Sequence, residues 1–254
     1  MRDNFISIVT PCYNSENYIT EMLNSVVSQT YNNWELIIVD DYSTDGSVEI
    51  INKYLSNDKR IRLIKLEKRL GAAYARNTAI KVSNGRYLTF LDSDDYWGHN
   101  FLQYSLESIK DKHFIYSSYN RVSETGNIIN TSKIVPLVTI NKLLKGTPIS
   151  CLTAFIDTKK FGKKFFPLNV NREDLAYWIL LLNDFKLAHG FNFCEANYRL
   201  HKQSSSAKKI KMAILTWEDY ISKFNLSFVK AIFFFICYAL NGIYNFIKLK
   251  LFIK

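Results

Sequence analysis

The stretch LTFLDSDDYW, residues 88 to 97, sets Asp92, Asp94 and Asp95 at the end of an apolar, β-favouring run. Charged side chains are rarely buried without a partner, so a buried-looking strand that delivers three carboxylates at its exit is a candidate for chemistry. Residues two apart point the same way in extended chain, which sets Asp92 and Asp94 on one side. A small set of hard oxygen ligands beside a diphosphate suits Mg²⁺ or Mn²⁺, which keep several waters and take phosphate oxygens. The alternative is an acidic turn that caps the next helix.

Other runs end in polar groups too. FISIVT (5–10) leads into Pro11-Cys12-Tyr13-Asn14, WELIIVD (34–40) closes on Asp40-Asp41, and Arg76 lies in the helix pattern after the third run. Glu173 and Asp174 open the amphipathic pattern REDLAYWILLLND (172–184), where a helix N-terminus favours negative charge. Arg199 and His201 lie two apart in YRLH and so share one side of an extended segment.

The elements that must position these groups alternate. Strands are expected at 5–10, 34–40, 61–66 and 86–92, with helices at 16–29, 47–55 and 71–83 between them. Short connections between such elements imply right-handed crossovers and a parallel sheet buried on both faces. Ligands of such sheets bind beyond the carboxyl ends of the strands, which is where the polar clusters fall. Further strands are expected at 113–123, 150–157 and 191–201, with turns at Thr125-Gly126-Asn127 and Gly146-Thr147-Pro148. KQSSSAKK (202–209) reads as a polar linker.

In this order and spacing, ISIVTPCYN, IIVDDYSTDGS, LGAAYARNTAI, YLTFLDSDD and REDLAYW resemble the family 2 inverting glycosyltransferases over about residues 5–205. The resemblance implies a GT-A fold: α/β, with a Rossmann-like, mostly parallel sheet flanked by helices. Its nucleotide-binding half would span about 1–98 and its acceptor-binding half about 99–205. It implies a UDP-sugar donor bound by Pro11, Tyr13, Asp41, Arg76, Asp92, Ser93, Asp95 and Arg199. Tyr13 would lie against the uracil and Asp41 would accept a hydrogen bond from it. Asp92 would meet ribose or sugar hydroxyls, and Asp95 would bind sugar hydroxyls or orient Asp94. Mn²⁺ or Mg²⁺ would sit on Asp94, with His201 completing its shell and Arg199 or Lys202 neutralising the departing UDP. Asp174 would be the base, and Glu173 and Trp178 would meet the acceptor, core packing being the alternative for Trp178. No QxxRW motif follows, which tells against the processive branch and for single addition. A sugar-1-phosphate nucleotidyltransferase would need a Gly-rich loop where TPCYNSENY has no glycine.

Composition bounds the partners. The 254-residue chain carries +10, and ten Lys or Arg face only Glu218 and Asp219 beyond residue 198. A basic tail suits nucleic acid or anionic lipid; AIFFFICYALNGIYNFI (231–247) selects lipid and excludes nucleic acid. Asn241, Asn245 and Lys248, extended back to Tyr238, Cys237 and Lys230, form a polar stripe, so 206–254 is expected to be an amphipathic helical tail lying in a membrane interface, a true span and a helix packed on the protein being the alternatives. Cys12, Cys151, Cys194 and Cys237 have no zinc or CxxC spacing, and the N-terminal run is too short for a signal peptide. The expectation is therefore a protein peripheral to the inner face of the cell membrane. Its acceptor would be an undecaprenyl-diphosphate-linked saccharide of O-antigen or capsule assembly, by resemblance together with the tail. A scaffold with a degenerate nucleotide site is the non-enzymatic alternative, and a homo-oligomer is left open.

Overall fold

The computed structural model describes residues 2–146, 148–201 and 209–252. The first half alternates β1 (Arg2–Cys12), α1 (Ile19–Val27), β2 (Trp34–Asp40), α2 (Ser47–Asn57), β3 (Ile61–Lys65), α3 (Ala72–Val82) and β4 (Gly85–Phe90). Then come β5 (Tyr96–Trp97), α4 (Phe101–Ile109), β6 (Phe114–Ser117), β7 (Asn120–Val122), β8 (Ile128–Thr131), β9 (Leu137–Val138) and α5 (Ile140–Lys145). A 3-10 turn (Cys151–Thr153) precedes β10 (Phe155–Asp157), α6 (Glu173–Phe185), β11 (Ala188–Phe191), β12 (Ala196–Arg199), α7 (Lys209–Ser222) and α8 (Phe228–Phe252).

One eight-stranded sheet runs β3-β2-β1-β4-β10-β6-β11-β9. The first four strands are parallel, with β1 between β2 and β4. All seven residues of β2 are buried, which is why Leu36 to Val39 read as an unbroken apolar run rather than an alternation; the buried Glu35 is paired with Ser7 Oγ. The strand's side chains nevertheless divide by the period of two: Ile37 and Val39 enter one core, Leu36 and Ile38 the other. β10 lies antiparallel to both β4 and β6 and so joins the two halves in one sheet. The α/β, mostly parallel expectation holds for the nucleotide half, and the antiparallel neighbours belong to the second half.

A second sheet, β5-β12-β7-β8, stands at the carboxyl edge of the first. Pairing of Ala196 with Trp97 and of Asn197 with Tyr96 carries the end of β12 beside the acidic segment.

Several expected boundaries change. β4 stops at Phe90, and Asp92 to Asp95 form a turn closed by the Asp95 N–H donating to Asp92 O at 3.1 Å. The Asp92/Asp94 pair therefore comes from a turn, not from strand alternation. The single strand expected at 191–201 divides between the two sheets as β11 and β12, and 150–157 opens with a 3-10 turn. β8, β9 and α5 carry too few residues to show a period. Thr147, the polar segment 202–208 and Lys254 lie outside the described residues, as do the side chains of Asn245, Lys248 and Lys250.

The C-terminal helices are docked, which corrects the expectation of a tail hanging by a linker. Tyr220, Ala231 and Phe234 belong to the core that contains Phe90 and Leu175. Tyr220 Oη donates to Leu144 O at 2.5 Å and Asn241 Nδ2 to Lys145 O at 2.7 Å. Members of the expected water-facing stripe, Tyr238 and Asn241, thus turn toward the protein. The opposite face exposes Val229, Ile232, Phe233, Ile236, Leu240 and Ile243. No helix among the described residues is long and apolar enough to cross a membrane.

Because Tyr220 and Phe234 are core residues, a chain ending at residue 208 should lose roughly 3–6 kcal/mol of unfolding free energy from these two side chains. Denaturant titration of the full and shortened chains checks this; equal midpoints would mean that the helices are a detachable tail.

Candidate active site

The nucleotide half gathers its groups at the ends of β1 and β2. Pro11 is the penultimate residue of β1, opposite Val39, and Tyr13 follows, 37% exposed with the Arg69 guanidinium 3.9 Å from its ring centroid. Asn14 takes a left-handed conformation (φ 47°) and its Oδ1 accepts the Thr44 N–H at 2.8 Å. Asp41 is buried, and its two oxygens accept the Leu70 and Gly71 N–H groups at 2.6 and 2.8 Å. Gly71 meets this demand at φ 91°, where a side chain would be strained. In this structure Asp41 fastens the 70–71 loop beneath the nucleotide half. Asp45 accepts the Ser47 and Glu16 N–H groups, the turn chemistry its Asp-Gly-Ser setting implies.

The acidic turn divides its carboxylates among cations from different elements. Asp92 Oδ1 accepts Arg76 Nη2 from α3 at 2.7 Å, and the same guanidinium lies 3.8 Å from Glu173 at the start of α6. Burial alone would lower the Arg76 proton affinity, but Asp92, Cys151 and Glu173 hold it above its ordinary value. Glu173 itself is raised by burial, with Arg76 opposing and Asp174 and Asp92 adding to the rise. Ser93 Oγ meets Ser15 Oγ at 2.6 Å, pinning the turn to the segment after β1.

Asp94 Oδ2 lies 2.8 Å from His201 Nε2, and the imidazole stacks on Tyr18 with centroids 5.4 Å apart. Burial, then the nearby Asp92, raises the Asp94 carboxyl, while His201 lowers it. Asp95 is buried, accepts the Arg199 N–H at 2.8 Å, and is pushed well up by burial and by Asp94 and Asp92. Of its two expected roles, the geometry fits support of the Asp94 turn and not contact with sugar hydroxyls.

Two expected site residues are corrected. Arg199 is 3% exposed: Nε donates to Asp94 O at 3.1 Å, Nη1 to Glu124 O at 2.6 Å, and Nη2 pairs with Glu21. Flanked by Tyr18 and Tyr96, it is a strut between the two sheets rather than a group open to a departing diphosphate. Trp178 is fully buried, 5.3 Å from Phe114 and 6.2 Å from Phe90 by ring centroids. It fills the core under α6 and offers no face to an acceptor. Its position one turn after Asp174 was visible in the sequence; the direction of that helix face was not.

Asp174 occupies the first turn of α6 beside Glu173, with its carboxylate partly exposed and Oδ1 3.4 Å from Arg172 Nε. Cys151 lies within electrostatic reach of Arg76, Asp92, Glu173 and Asp174, and burial raises its thiol well above the usual range. Cys151, Glu21, Arg69, Arg172 and Asp219 all belong to the surroundings of the site and went unassigned in the sequence. Only Arg172 carried a signal, as the first residue of the REDLAYW motif.

Among the described residues, no group of three His, Cys, Asp or Glu side chains is placed to hold a metal ion. The Asp94–His201 pair offers one oxygen and one nitrogen donor facing each other. That set fits Mn²⁺ or Mg²⁺ when phosphate oxygens and water complete the shell.

Staphylococcus aureus TarS residues 1–349, in complex with UDP-GlcNAc, matches with a TM-score of 0.66 at 22% identity, covering 89% of this chain and 69% of that one. The Pyrobaculum calidifontis mannosyltransferase PcManGT, solved with GDP-Man and Mn²⁺, matches at 0.63 with 16% identity, covering 87% and 64%. The fold is thus that of the GT-A glycosyltransferases. Sequence narrows the class: Glycosyl transferase family 2 matches residues 7–165, and the chain belongs to that family. TuaG of Bacillus subtilis, whose name assigns it to teichuronic acid biosynthesis, is 39% identical over 241 residues, 94% of this chain and 96% of that protein. WfgD of Escherichia coli, a UDP-Glc:alpha-D-GlcNAc-diphosphoundecaprenol beta-1,3-glucosyltransferase by name, is 36% identical over 249 residues, 96% and 95% of the two chains.

Since Trp178 is core, Trp178→Ala should destabilise the fold by about 3–5 kcal/mol and leave the acceptor KM of the folded enzyme unchanged. Chemical denaturation and acceptor titration below the melting range check both parts.

Proposed function

We propose that this glycosyltransferase moves one hexose or N-acetylhexosamine from a UDP-sugar to a lipid-linked, undecaprenyl-diphosphate saccharide, inverting the anomeric carbon. The observation that carries the reading is the joining of the acidic turn, at Asp92, to the start of α6, at Glu173 beside Asp174, through the shared cation Arg76. The names of WfgD and of its counterpart WfaP, both UDP-Glc:alpha-D-GlcNAc-diphosphoundecaprenol glucosyltransferases, support the donor and acceptor classes.

In this reading Tyr13 stacks on the uracil, Arg69 lying against its ring, and the remaining lone pairs of Asp41 serve the base. Asp92 and Arg76 meet ribose or sugar oxygens. Asp94 and His201 hold Mn²⁺ or Mg²⁺, which when bound supplies Lewis-acid neutralisation of the diphosphate charge. Asp174 accepts the proton of the acceptor hydroxyl as that oxygen attacks the anomeric carbon in line, while Glu173 stays on Arg76 and borders the acceptor. The C–O bond to UDP breaks as the new glycosidic bond forms, so no covalent enzyme intermediate is required.

The acceptor's lipid is matched by α8. Its exposed stripe from Val229 through Ile232, Phe233, Ile236 and Leu240 to Ile243 lies opposite the docked face, and Lys223 and Lys230 are exposed nearby. Contiguous exposed apolar surface marks an interaction site, and lysines beside it favour anionic headgroups. We therefore place the enzyme peripherally, on the inner face of the cell membrane.

UDP should raise the melting temperature of the protein in a Mn²⁺-dependent way, and Asp94→Ala should abolish the metal-dependent part. A larger shift with GDP, CDP or dTDP would replace the donor class, and the same instrument then ranks UDP-sugars. Vesicles containing phosphatidylglycerol should bind the protein in flotation, and Ile236→Asp should weaken that binding at least about tenfold, one buried isoleucine being worth more than 1.4 kcal/mol. Equal flotation of the two proteins would remove α8 as the lipid-contacting element.

A further inference from the structure

The carboxylate expected to act as a base lies at the start of α6, a helix end that no side chain of its own segment caps. The first four N–H groups of a helix have no partner within it. α7 supplies one of these partners, at the N-cap residue Arg172. Asp219 of α7, with 0% exposure, accepts the Asn171 N–H at 3.1 Å on Oδ1 and the Arg172 N–H at 2.7 Å on Oδ2. A buried carboxylate from another helix thus anchors the chain at the point where α6 begins.

The Arg172 side chain continues the connection. Its Nη1 donates to Thr216 Oγ1 of α7 at 2.9 Å and lies 3.3 Å from Tyr238 Oη of α8. Thr216 gives its own proton to Met212 O at 2.7 Å, so its oxygen is free to accept from the guanidinium. The other edge of the same group, Nε, lies 3.4 Å from Asp174 Oδ1. A guanidinium is a planar, rigid fork. Fixing its Nη1 edge on α7 and α8 therefore fixes the direction from which Nε meets Asp174, engaging one carboxylate oxygen and leaving the second for an incoming hydroxyl.

We propose that Arg172 is a positioning residue that couples the C-terminal helical pair to Asp174, making α7 and α8 a working part of the active site. This rests on the reading of Asp174 as the base. It follows that the helices bearing the exposed apolar stripe also set the geometry of proton removal. A purely structural Arg172 would hold α7 against α6 without mattering to the rate.

The test uses the full-length chain, the UDP-sugar selected by the thermal screen and a synthetic GlcNAc-diphosphate lipid. Arg172→Gln should lower kcat by about 10- to 100-fold, the cost of a misplaced reacting group, with the donor KM and the UDP Kd within about twofold of wild type. Tyr238→Phe and Thr216→Val, which keep the arginine and every charge, should give smaller kcat losses of the same kind. Asp174→Asn combined with Arg172→Gln should be no slower than Asp174→Asn alone, because groups that act as a unit are not additive. Losses that multiply in the double variant, or wild-type kcat in Arg172→Gln beside an inactive Asp174→Asn, would overturn the coupling and spare the base. Wild-type transfer by Asp174→Asn would instead overturn the base itself. Hydrogen exchange at the amides of residues 173–177 gives a readout independent of any substrate. Exchange should quicken in Tyr238→Phe, and unchanged protection there would overturn the proposed support by α8.

Discussion

Repulsion among acids governs the centre of this molecule. Asp92, Asp94, Asp95, Glu173 and Asp174 converge on one edge of a sheet, and buried carboxylates that are neither paired nor protonated are costly. Each is answered, two of them by one cation. Arg76 bridges Asp92 and Glu173, His201 faces Asp94, Arg172 faces Asp174, and the backbone of Arg199 takes Asp95. The residual strain of this arrangement appears as raised carboxyls on Asp94, Asp95 and Glu173, burial being the leading cause in all three.

The answering groups come from remote parts of the chain, and the topology exists to bring them in. Arg76 arrives from α3 of the nucleotide half, Arg172 from the start of α6, and Arg199 and His201 from the end of β12. Antiparallel β10 makes this possible by pairing with both β4 and β6. The small sheet then sets β12 against β5, directly after the acidic turn. Losing the pairing of β12 with β5 would take the Arg199 N–H from Asp95 and His201 from Asp94.

Much of this was legible in the sequence, for physical reasons that also mark its limits. A strand buried on both faces is mostly apolar, with its few polar groups paired, so β1, β2 and β4 announced themselves. A polar cluster at their ends is not required by an apolar core, and so marked Asp41, Asp92 and Asp94 as candidates. Periodicity also found α6 and α8. What it cannot report is which way a face turns. Trp178 and Asp174 share a turn of α6, yet one fills the core and the other lies at the surface. Arg199 alternates correctly with His201, yet its guanidinium is spent on two backbone carbonyls and Glu21. Strands of two to four residues such as β8 and β9 carry no period to read.

The same blindness to direction explains the inverted amphipathicity of α8. A polar stripe on an exposed helix normally faces water, but here helix ends compete for it. The last carbonyls of α5 have no N–H donors within their own helix, and they accept from Tyr220 Oη at Leu144 O and from Asn241 Nδ2 at Lys145 O. At the start of α6, Asp219 and Tyr238 answer the backbone and Arg172. Once the polar side chains of α7 and α8 are drawn inward to finish two other helices, the face left outside is apolar by default. A protein that spends its polar groups this way leaves Val229, Ile236 and Leu240 in water unless something apolar covers them. The docking at the start of α6 and the exposure of the apolar face of α8 are therefore consequences of the same set of hydrogen bonds.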